Sequence, residues 1–429
     1  MKKIIVLVLI LVLIGVAILA AIGTVRDSNQ EANKAKTYMS YAESQIELGG
    51  YGSAIDYIKA AIKVEPTAER YHRLAQVYLM AENSRAYIDV LEQMMSAYPK
   101  EQAAYKDLAD YYYTHGSMDD CATVLRAASK AGVLDNDMRE QFYAAAYKPT
   151  VISAPFRQTH FFYNKYALVN VEEEATYVDD SMHGCIGQYE DAKSGTATVM
   201  AVRQEGKWFF VDTTSLAYVK TKEALLDAWS YSNNLALVKT EEGYYFYNTH
   251  GTAALGPYED ASCFYDGIAA VKKNGVWQLI NNAGAVIGDG KFEAVLMNED
   301  RICSCGGVFF ASTGSGYDMY DSNGKLIAAT GFEDADIFYF ENYAAVKRGG
   351  KWGFVDKTGN LIIEAKYSGA RSFGCGVGAV CNAAGQWGFV TAKDRLVIDY
   401  QFLDAKTFGK NSCAPVKLET GWVYINIVG

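Results

Sequence analysis

The stretch Lys351-Trp352-Gly353-Phe354-Val355-Asp356 decides the fold of the C-terminal two thirds of the chain, because close variants of it recur there. Residues 386–391 and 421–426 repeat its pattern, which places three tryptophans 35 residues apart. Aligning the hydrophobic pair that follows each tryptophan extends the series backward at intervals of 33 to 40 residues. Eight repeat units are therefore predicted, marked by Ala175, Trp208, Tyr244, Trp277, Tyr317, Trp352, Trp387 and Trp422.

Each unit is predicted to fold as an antiparallel meander of three strands and two hairpins. In one unit the strands cover residues 377–380, 387–390 and 396–398. After the third strand comes an aromatic residue, one or two acids and an alanine, as in Tyr258-Glu259-Asp260-Ala261. One meander buries too little apolar surface to be stable alone, so the tryptophans are expected to pack between units. The alternative role for them is stacking on a ligand.

The repeated acidic residues also have structural explanations. Asp356-Lys357-Thr358-Gly359 and Asp321-Ser322-Asn323-Gly324 place Asp at the start and Gly at the end of a tight turn, where capping and positive φ are needed. The Glu-Asp pairs raise the alternative of calcium binding, but their loops lack a dense run of oxygen ligands. We expect them to form a solvated rim.

These features resemble the bacterial WG-containing repeat. The shared features are a Trp-Gly pair, a Val/Ile-Asp turn, an aromatic-acid-Ala step and a strand of the form Phe-x-x-Gly-x-Ala-x-Val. The resemblance covers most of residues 150–429 and is most specific in the last two or three units. It implies a β-repeat domain, because the family is defined by its repeat rather than by a shared reaction.

The two ends of this domain predict how it closes. Its last unit lacks a third strand, whereas Val151-Ile152-Ser153-Ala154-Pro155-Phe156 is typical of an isolated third strand. Pairing the two would complete the last sheet and remove the edges of the domain. The predicted fold class is therefore α + β multidomain: a membrane helix, a short helical array and a closed propeller-like ring of about eight three-stranded units. An open stack of β-meanders is the alternative.

A second repeat occupies residues 33–148. Tyr38, Tyr71 and Tyr105 are 33 and 34 residues apart, and an alanine follows each of them by four positions, where it would let two helices approach closely. The pattern resembles tetratricopeptide repeats in three units followed by a capping helix. The second unit departs from it, with Tyr87 where a small residue is expected.

In the tetratricopeptide family the first helices of the units line a groove that binds peptides. The resemblance carries this role to one set of positions: Lys36, Met39, Glu43, Glu69, His72, Gln76, Lys106, Asp110 and Tyr113. The alternative is that so short an array is a spacer or a dimer contact without a peptide ligand.

The N-terminal segment, residues 1–25, predicts a transmembrane signal-anchor. An apolar run from Ile4 to Ile22 is long enough to span a bilayer, and Lys2 and Lys3 favour a cytoplasmic start. A cleaved signal peptide is the alternative. The predicted localisation is the cell membrane, single-pass, with the bulk of the chain extracytoplasmic.

Composition excludes several functions. The formal net charge of −10 argues against a partner nucleic acid. No cofactor, metal site or catalytic group is predicted, because the five histidines form no metal-binding motif and no nucleophile motif is found.

Two stretches break the repeat, Leu216 to Trp229 and Cys303 to Gly307 in the longest interval. The eight cysteines are scattered, and we expect small buried side chains rather than disulfides: Cys121, Cys185, Cys263, Cys303, Cys305, Cys375, Cys381 and Cys413.

The predicted function is that of a membrane-anchored, non-catalytic binding or scaffold protein. Its partner would be a protein, a peptide or an envelope glycan, bound on a surface formed by the repeats. Two alternatives remain open at this point: a glycan-processing enzyme built on the β-repeat ring, because acid pairs are plentiful, and a structural subunit of an envelope complex.

Overall fold

The computed structural model describes residues 30–163, 165–182, 187–195, 198–219, 221 and 224–427. The chain divides into two compact units, Met1–Ala146 and Tyr147–Gly429. The described part of the first unit is helical, and the second is built from β-strands.

Seven helices form the described part of the first unit. They are α1 (30–47), α2 (Tyr51–Val64), α3 (Ala68–Met80), α4 (Ser84–Ala97), α5 (Gln102–Thr114), α6 (Met118–Ala131) and α7 (Asn136–Ala146). Short connections separate them, and several have side-chain caps.

The helix ends follow from local sequence signals. The Thr67 hydroxyl accepts a hydrogen bond from the Arg70 amide at the start of α3, and Asn83 Oδ1 accepts one from Ala86 at the start of α4. Gly132 ends α6 in the left-handed conformation. The three alanines expected at close helix contacts, Ala42, Ala75 and Ala109, are fully buried. Helices are therefore present where the second repeat predicts them.

The second unit contains eight antiparallel sheets, here called blades 1 to 8. Its first strand, β1 (Thr150–Val151), joins blade 8. Blade 1 comprises β2 (Gln158–Thr159), β3 (Tyr166–Val171) and β4 (Glu174–Asp179), and blade 2 comprises β5 (Asp191–Ala192), β6 (Val199–Gln204), β7 (Lys207–Asp212) and β8 (Tyr218–Val219). Blade 3 comprises β9 (Asp227–Ala228), β10 (Leu235–Thr240), β11 (Gly243–Asn248) and β12 (Ala253–Tyr258). Blade 4 comprises β13 (Asp260–Ala261), β14 (Ile268–Lys273), β15 (Val276–Asn281) and β16 (Val286–Phe292).

Blades 5 to 8 follow the same plan. Blade 5 comprises β17 (Ala294–Val295), β18 (Ser304–Cys305), β19 (Val308–Ser312), β20 (Tyr317–Asp321) and β21 (Leu326–Phe332), and blade 6 comprises β22 (Asp334–Ala335), β23 (Tyr343–Arg348), β24 (Lys351–Asp356) and β25 (Leu361–Tyr367). Blade 7 comprises β26 (Gly369–Gly374), β27 (Val377–Cys381), β28 (Trp387–Thr391) and β29 (Leu396–Phe402). Blade 8 comprises β30 (Asp404–Ala405), β31 (Cys413–Leu418), β32 (Gly421–Asn426) and β1.

The ring closes within blade 8, where the two ends of the unit share one sheet. Thr150 pairs with Asn426 and Val151 with Ile425 in antiparallel register. The contact continues beyond β1, because Phe156 and Trp422 exchange two backbone hydrogen bonds of 2.7 and 2.9 Å. Residues 151–156 thus complete the last sheet. The unit is a closed eight-bladed β-propeller, which excludes the open stack of meanders.

Apolar packing goes around the whole ring. Seven of the eight clusters of buried side chains each join two neighbouring blades, and one of these seven joins the last blade to the first. In that cluster Tyr424 of blade 8 is fully buried against Phe162 of blade 1, with ring centroids 5.1 Å apart. The eighth cluster joins blades 3 and 4 and also contains side chains of blades 1, 5 and 6. Every blade therefore has a partner on both sides, and no sheet depends on its own apolar surface alone.

Two parts of the predicted fold class are wrong. Most blades have four strands rather than three, because the acid-alanine step forms a short additional strand that precedes each hairpin. The membrane helix is the second error. Residues 1–25 lie outside the described residues, and the described helices are too short or too polar for any of them to cross a bilayer. The single-pass anchor and the cell-membrane localisation derived from it are therefore not supported.

The repeat markers form cross-strand aromatic pairs. Trp352 pairs with Tyr367 and Trp387 with Phe402, in each case at the end of the third long strand. The same pairing occurs at Tyr244, Trp277 and Tyr317, and Trp422 pairs with Phe156 across the closure. Trp208, Trp277 and Trp387 are at most 9% exposed. These contacts agree with the packing role predicted for the tryptophans.

The glycine of the Trp-Gly pair is required by a close backbone approach. A Cβ on Gly353 would lie 2.5 Å from the Ile363 carbonyl oxygen, and one on Gly388 would lie 2.6 Å from that of Ile398. Both positions face a bulge in the third strand, where the register shifts. The neighbouring backbone cannot move away without breaking this ladder.

Replacing Gly388 by alanine is expected to destabilise the propeller by about 1–3 kcal/mol, because the added methyl overlaps backbone rather than a flexible side chain. All six tryptophans lie in this unit, so their fluorescence during urea unfolding measures its stability. Gly52→Ala of α2 is the control: it lies outside the propeller and its Cβ meets nothing within 4 Å, so the tryptophan transition should not change. Equal stability of Gly388→Ala and wild type would contradict the explanation of the Trp-Gly pair.

Candidate functional site

The residues predicted to line a peptide groove lie on the odd-numbered helices, and several of them bond to side chains outside the predicted set. Arg73 of α3 donates a hydrogen bond of 2.8 Å to Glu43 of α1 and another to Gln76. This hydrogen bond, opposed by burial, holds the pKa of Glu43 below its usual value. His72 and Asp107 are joined by a hydrogen bond of 2.6 Å between Nε2 and Oδ2. The polar side chains of this face are thus used to hold consecutive odd helices together.

The same ladder continues to the end of the helical unit. Asp110 accepts a hydrogen bond of 2.8 Å from Gln141 of α7 and lies 3.8 Å from Lys106. Lys36, Glu69 and Tyr113 are exposed on this array, and Met39 is half-buried. The structure brings the predicted residues onto adjacent helices, and their role in binding a peptide stays a prediction.

In three blades of the propeller, the residue after the alanine of the first strand is a cation that packs on the marker tryptophan. Lys193 and Lys406 follow that strand directly, and Arg371 lies within it. Lys193 Nζ lies 5.1 Å from the ring centroid of Trp208, and the Arg371 guanidinium lies 5.1 Å from that of Trp387. Lys406 lies 5.8 Å from the ring of Trp422. Blade 1 has His160 at the corresponding position. We call these four residues of consecutive blades 7, 8, 1 and 2 the basic arc: Arg371, Lys406, His160 and Lys193.

One loop of blade 5 is longer than its equivalents and reaches across the ring. Thirteen positions separate Val295 from Val308, against seven between Ala370 and Val377 of blade 7. We call residues 296–303 the hub loop. Asn298 folds it into a tight turn, because its side-chain oxygen accepts the amides of residues 300 and 302 at 3.1 and 2.9 Å.

The hub loop contacts four other blades, which places it at the centre of the ring. The hydroxyl of Tyr163 in blade 1 donates a hydrogen bond of 2.7 Å to Asp300 and accepts one of 2.7 Å from Asn298. Arg301 donates to the Ala261 carbonyl of blade 4 and pairs with Asp260. The same guanidinium lies 5.3 Å from the ring centroid of Trp229 in blade 3.

Glu299 at the tip of the hub loop meets the basic arc. Lys406 of blade 8 donates to both of its carboxylate oxygens, at 2.8 and 3.0 Å. His160 Nδ1 lies 3.6 Å from the same carboxylate. Burial opposes ionisation of Glu299, but Lys406, His160 and Arg371 together hold its pKa below the usual value. Its side chain is 49% exposed, so this carboxylate also faces solvent.

Burial shifts the two neighbouring titratable groups in opposite directions. It raises the pKa of Asp300 to about 6, with a further contribution from the nearby charge of Glu299. It lowers the pKa of His160 to about 4, although Glu299 acts in the other direction. At neutral pH His160 is therefore an uncharged imidazole, and Asp300 is a carboxylate that titrates close to the physiological range.

The recurrent Glu-Asp pairs are used in backbone hydrogen bonds. Glu190, Glu259 and Glu333 accept the amide of the hairpin glycine 16 or 17 residues later at 2.9 to 3.0 Å. The following aspartate accepts the amide of its own neighbouring alanine, as Asp260 does at 2.8 Å. Among the residues that the structure describes, no group of acids, histidines and cysteines could hold a metal ion.

The described cysteines are free thiols with structural contacts. Cys305 Sγ donates to the Tyr339 carbonyl at 2.9 Å, and Cys375 Sγ donates to the Gly409 carbonyl at 3.1 Å. Both bonds join neighbouring blades 34 residues apart. Burial raises the pKa of each of these thiols, which keeps them unreactive. Cys185 lies outside the described residues.

A separate groove of ≈ 670 Å³ lies between the hairpin tips of blades 3 and 4. Its lining includes Tyr244 and Tyr258 together with three glutamates and two lysines. Blade 3 departs from the repeat here, because Tyr244 and Tyr245 replace the Trp-Gly pair. The groove is open and polar, and it has the size of a small-ligand site.

A family model described as the WG containing repeat matches residues 257–277, 319–352 and 352–383. The resemblance to that repeat is thus supported in the middle of the propeller. No family match supports the tetratricopeptide resemblance, so residues 33–148 stand as an array of helices. Comparison with curated proteins gives no match.

Solved structures similar to this chain include BamB from Moraxella catarrhalis, at 13% identity and a TM-score of 0.44, covering 65% of this chain and 99% of that one. Hsv2p of Kluyveromyces lactis is 11% identical, with a TM-score of 0.36 and coverage of 55% and 92%. The Cps50 (Swd1) β-propeller domain of Myceliophteria thermophila is 10% identical, with a TM-score of 0.34 and coverage of 65% and 98%. Likenesses at this level say nothing about function.

Replacing Asp300 by asparagine is expected to stabilise the propeller at pH 7.5 by about 1–2 kcal/mol and to have little effect at pH 4. Its raised pKa favours folding below the unfolded value of 3.8, and this advantage is lost as pH rises through about 6. Asparagine avoids that loss and still accepts the Tyr163 hydrogen bond. Urea unfolding at the two pH values measures the difference.

Asp212→Asn is the control of opposite sign. Backbone hydrogen bonds from Ser215 and Thr214 lower the pKa of Asp212, so its loss should reduce stability more at pH 7.5 than at pH 4. A difference between Asp300→Asn and wild type that does not change with pH would contradict the burial assigned to Asp300.

Proposed function

We propose that this chain is a non-catalytic binding or scaffold protein that binds a protein or peptide partner at the centre of its propeller. The observation that carries the proposal is the convergence of five blades on one half-exposed charged surface, formed by Glu299 and the basic arc. Each side chain of the arc begins next to or within a strand that the ring holds in place, and Asn298, Asp300 and Arg301 anchor the hub loop beneath Glu299. Preorganised charges of this kind favour specificity and rapid association.

A binding role fits the central carboxylates better than catalysis does. Glu299 is engaged by Lys406, and Asp300 accepts the hydroxyl of Tyr163. A retaining or inverting glycosidase needs one carboxyl free to protonate the leaving group and another free to attack or to activate water. Glu299 is instead paired with Lys406 at the tip of the hub loop, and Asp300 is tied into the packing of the loop.

The helical array is proposed as a second binding surface. The tetratricopeptide resemblance would place a peptide along the face that carries Lys36, Met39, Glu69 and Tyr113, with the ladder around Arg73 as its floor. The competing proposal is a spacer or a dimer contact. Exposed Tyr113 favours the binding role, since aromatic side chains dominate contact surfaces.

A glycan is the second candidate ligand, and the groove between blades 3 and 4 is the observation that favours it. Tyr244 and Tyr258 supply apolar surface, and Glu241, Glu242 and Asn274 supply hydrogen-bonding groups. Binding there would leave the basic arc unoccupied.

The test captures partners with the tagged full chain from the cells that make it. The double variant Lys193→Glu/Lys406→Glu should lose the captured partner, because it reverses two charges of the basic arc. Lys291→Glu/Lys325→Glu carries the same charge change on exposed lysines of outer strands and turns, and should retain it. The fraction of partner captured, measured by quantitative mass spectrometry, decides the outcome.

A partner kept by the arc variant would contradict binding at the propeller centre. If it is then lost from Met39→Ala/Tyr113→Ala, the helical array is the binding surface instead.

A further inference from the structure

We infer that the basic arc is a carboxylate-binding site for an acidic peptide segment of a partner, and that Glu299 occupies it as an internal substitute. This inference rests on the proposed function and names the chemistry of its partner. The hub loop belongs to blade 5, whereas the arc belongs to blades 7, 8, 1 and 2. Glu299 of blade 5 therefore contacts a surface, the basic arc, whose residues all come from other blades.

The contacts of Glu299 show how the arc recognises a carboxylate. Lys406 Nζ donates to both oxygens, so one ammonium holds the group symmetrically. His160 Nδ1 is buried, has no hydrogen-bond partner and lies 3.6 Å from Oε1. With its proton on Nδ1, the neutral imidazole would donate a hydrogen bond to a ligand carboxylate placed slightly closer than that of Glu299. The internal carboxylate thus fills the site incompletely.

The aromatic backing of the arc fixes the cations in place. Lys406 and Lys193 each lie within 6 Å of a tryptophan ring centroid, and so does Arg371. A lysine or arginine held in this way loses less side-chain entropy on binding an anion than a free surface lysine does. Three of the four residues of the arc pack on a tryptophan ring in this way, and His160 is the exception.

The neighbouring acids limit how many carboxylates the arc accepts. Lys193 lies 3.6 Å from Asp227, and burial raises the pKa of Asp336 although the nearby charge of Arg371 acts in the other direction. Lys406 has Glu299 as its partner. Displacing Glu299 would therefore release one strong site, centred on Lys406 and His160, with Arg371 and Lys193 flanking it. A short acidic segment matches this arrangement better than a densely charged polymer does.

Exchange at this site is favoured by the exposure of Glu299. Its side chain is 49% exposed and sits at the tip of the loop, whereas Asn298, Asp300 and Arg301 anchor the loop beneath it. The Glu299 side chain can swing into solvent without breaking those anchors. Displacement exchanges one carboxylate for another at Lys406, so this largely buried ammonium keeps an anionic partner while an incoming carboxylate competes with Glu299 for it.

The experiment measures binding of a fluorescein-labelled hexaglutamate peptide to the full chain by fluorescence anisotropy at low salt. Glu299→Gln should bind it about fivefold more tightly than wild type, because the internal competitor is removed. Glu364→Gln is the matched control, an exposed glutamate on β25 with the same change of charge. Adding Lys406→Gln to Glu299→Gln should abolish the gain. Tryptophan fluorescence confirms that each variant is folded.

Binding of Glu299→Gln no tighter than that of Glu364→Gln would overturn the inference. Equal binding of a hexaglutamine peptide would overturn the carboxylate as the recognised group, and tighter binding of a short single-stranded DNA would replace it by phosphate. These results are separate from the proposed function: a partner that is captured through the arc without any effect of Glu299→Gln keeps the binding role and removes only the acidic segment.

Discussion

The antiparallel pairing of Thr150–Val151 with Gly421–Asn426 is the constraint on which the rest of the propeller depends. A sheet of three or four short strands cannot bury enough apolar surface by itself, so each blade needs neighbours on both faces. Six of the eight apolar clusters each join two blades that follow one another along the chain, and a seventh joins blades 3 and 4 to side chains of three other blades. The eighth joins the first blade to the last and exists only because the two ends of the unit meet in one sheet.

Closure also determines what the centre can do. Glu299 and Lys406 are 107 residues apart in sequence, and Asp300 and Tyr163 are 137 apart, yet both pairs are in hydrogen-bond contact. Such contacts form only when the ring holds blades 1, 5 and 8 at fixed distances around one point. The packing around the closed ring therefore offsets the unfavourable free energy of burying Asp300. The charged surface is preorganised rather than assembled on binding.

The repeat period, the tryptophan positions and the helices could be predicted because each leaves a local and repeated signal. The two-residue strands could not, since Asp-Ala is too short to show alternation and its own hydrogen bonds depend on the neighbouring hairpin. The hub loop was visible as the longest interval, but the sequence does not show where its tip points. His160, Glu299 and Lys406 become neighbours only in the closed ring. In the helical unit, Arg73 and Asp107 were missed because they hold helices together rather than matching the groove pattern.

Ring closure is tested most directly by a disulfide between Val151→Cys and Ile425→Cys. These residues are paired across β1 and β32, at a position that exchanges no backbone hydrogen bonds with its partner and so brings the side chains close. Mild oxidation of the double variant should give a single intramolecular disulfide and a more stable propeller by tryptophan fluorescence, whereas neither single variant should change. A double variant whose two added thiols both remain free and reactive in the folded chain would contradict the closed ring.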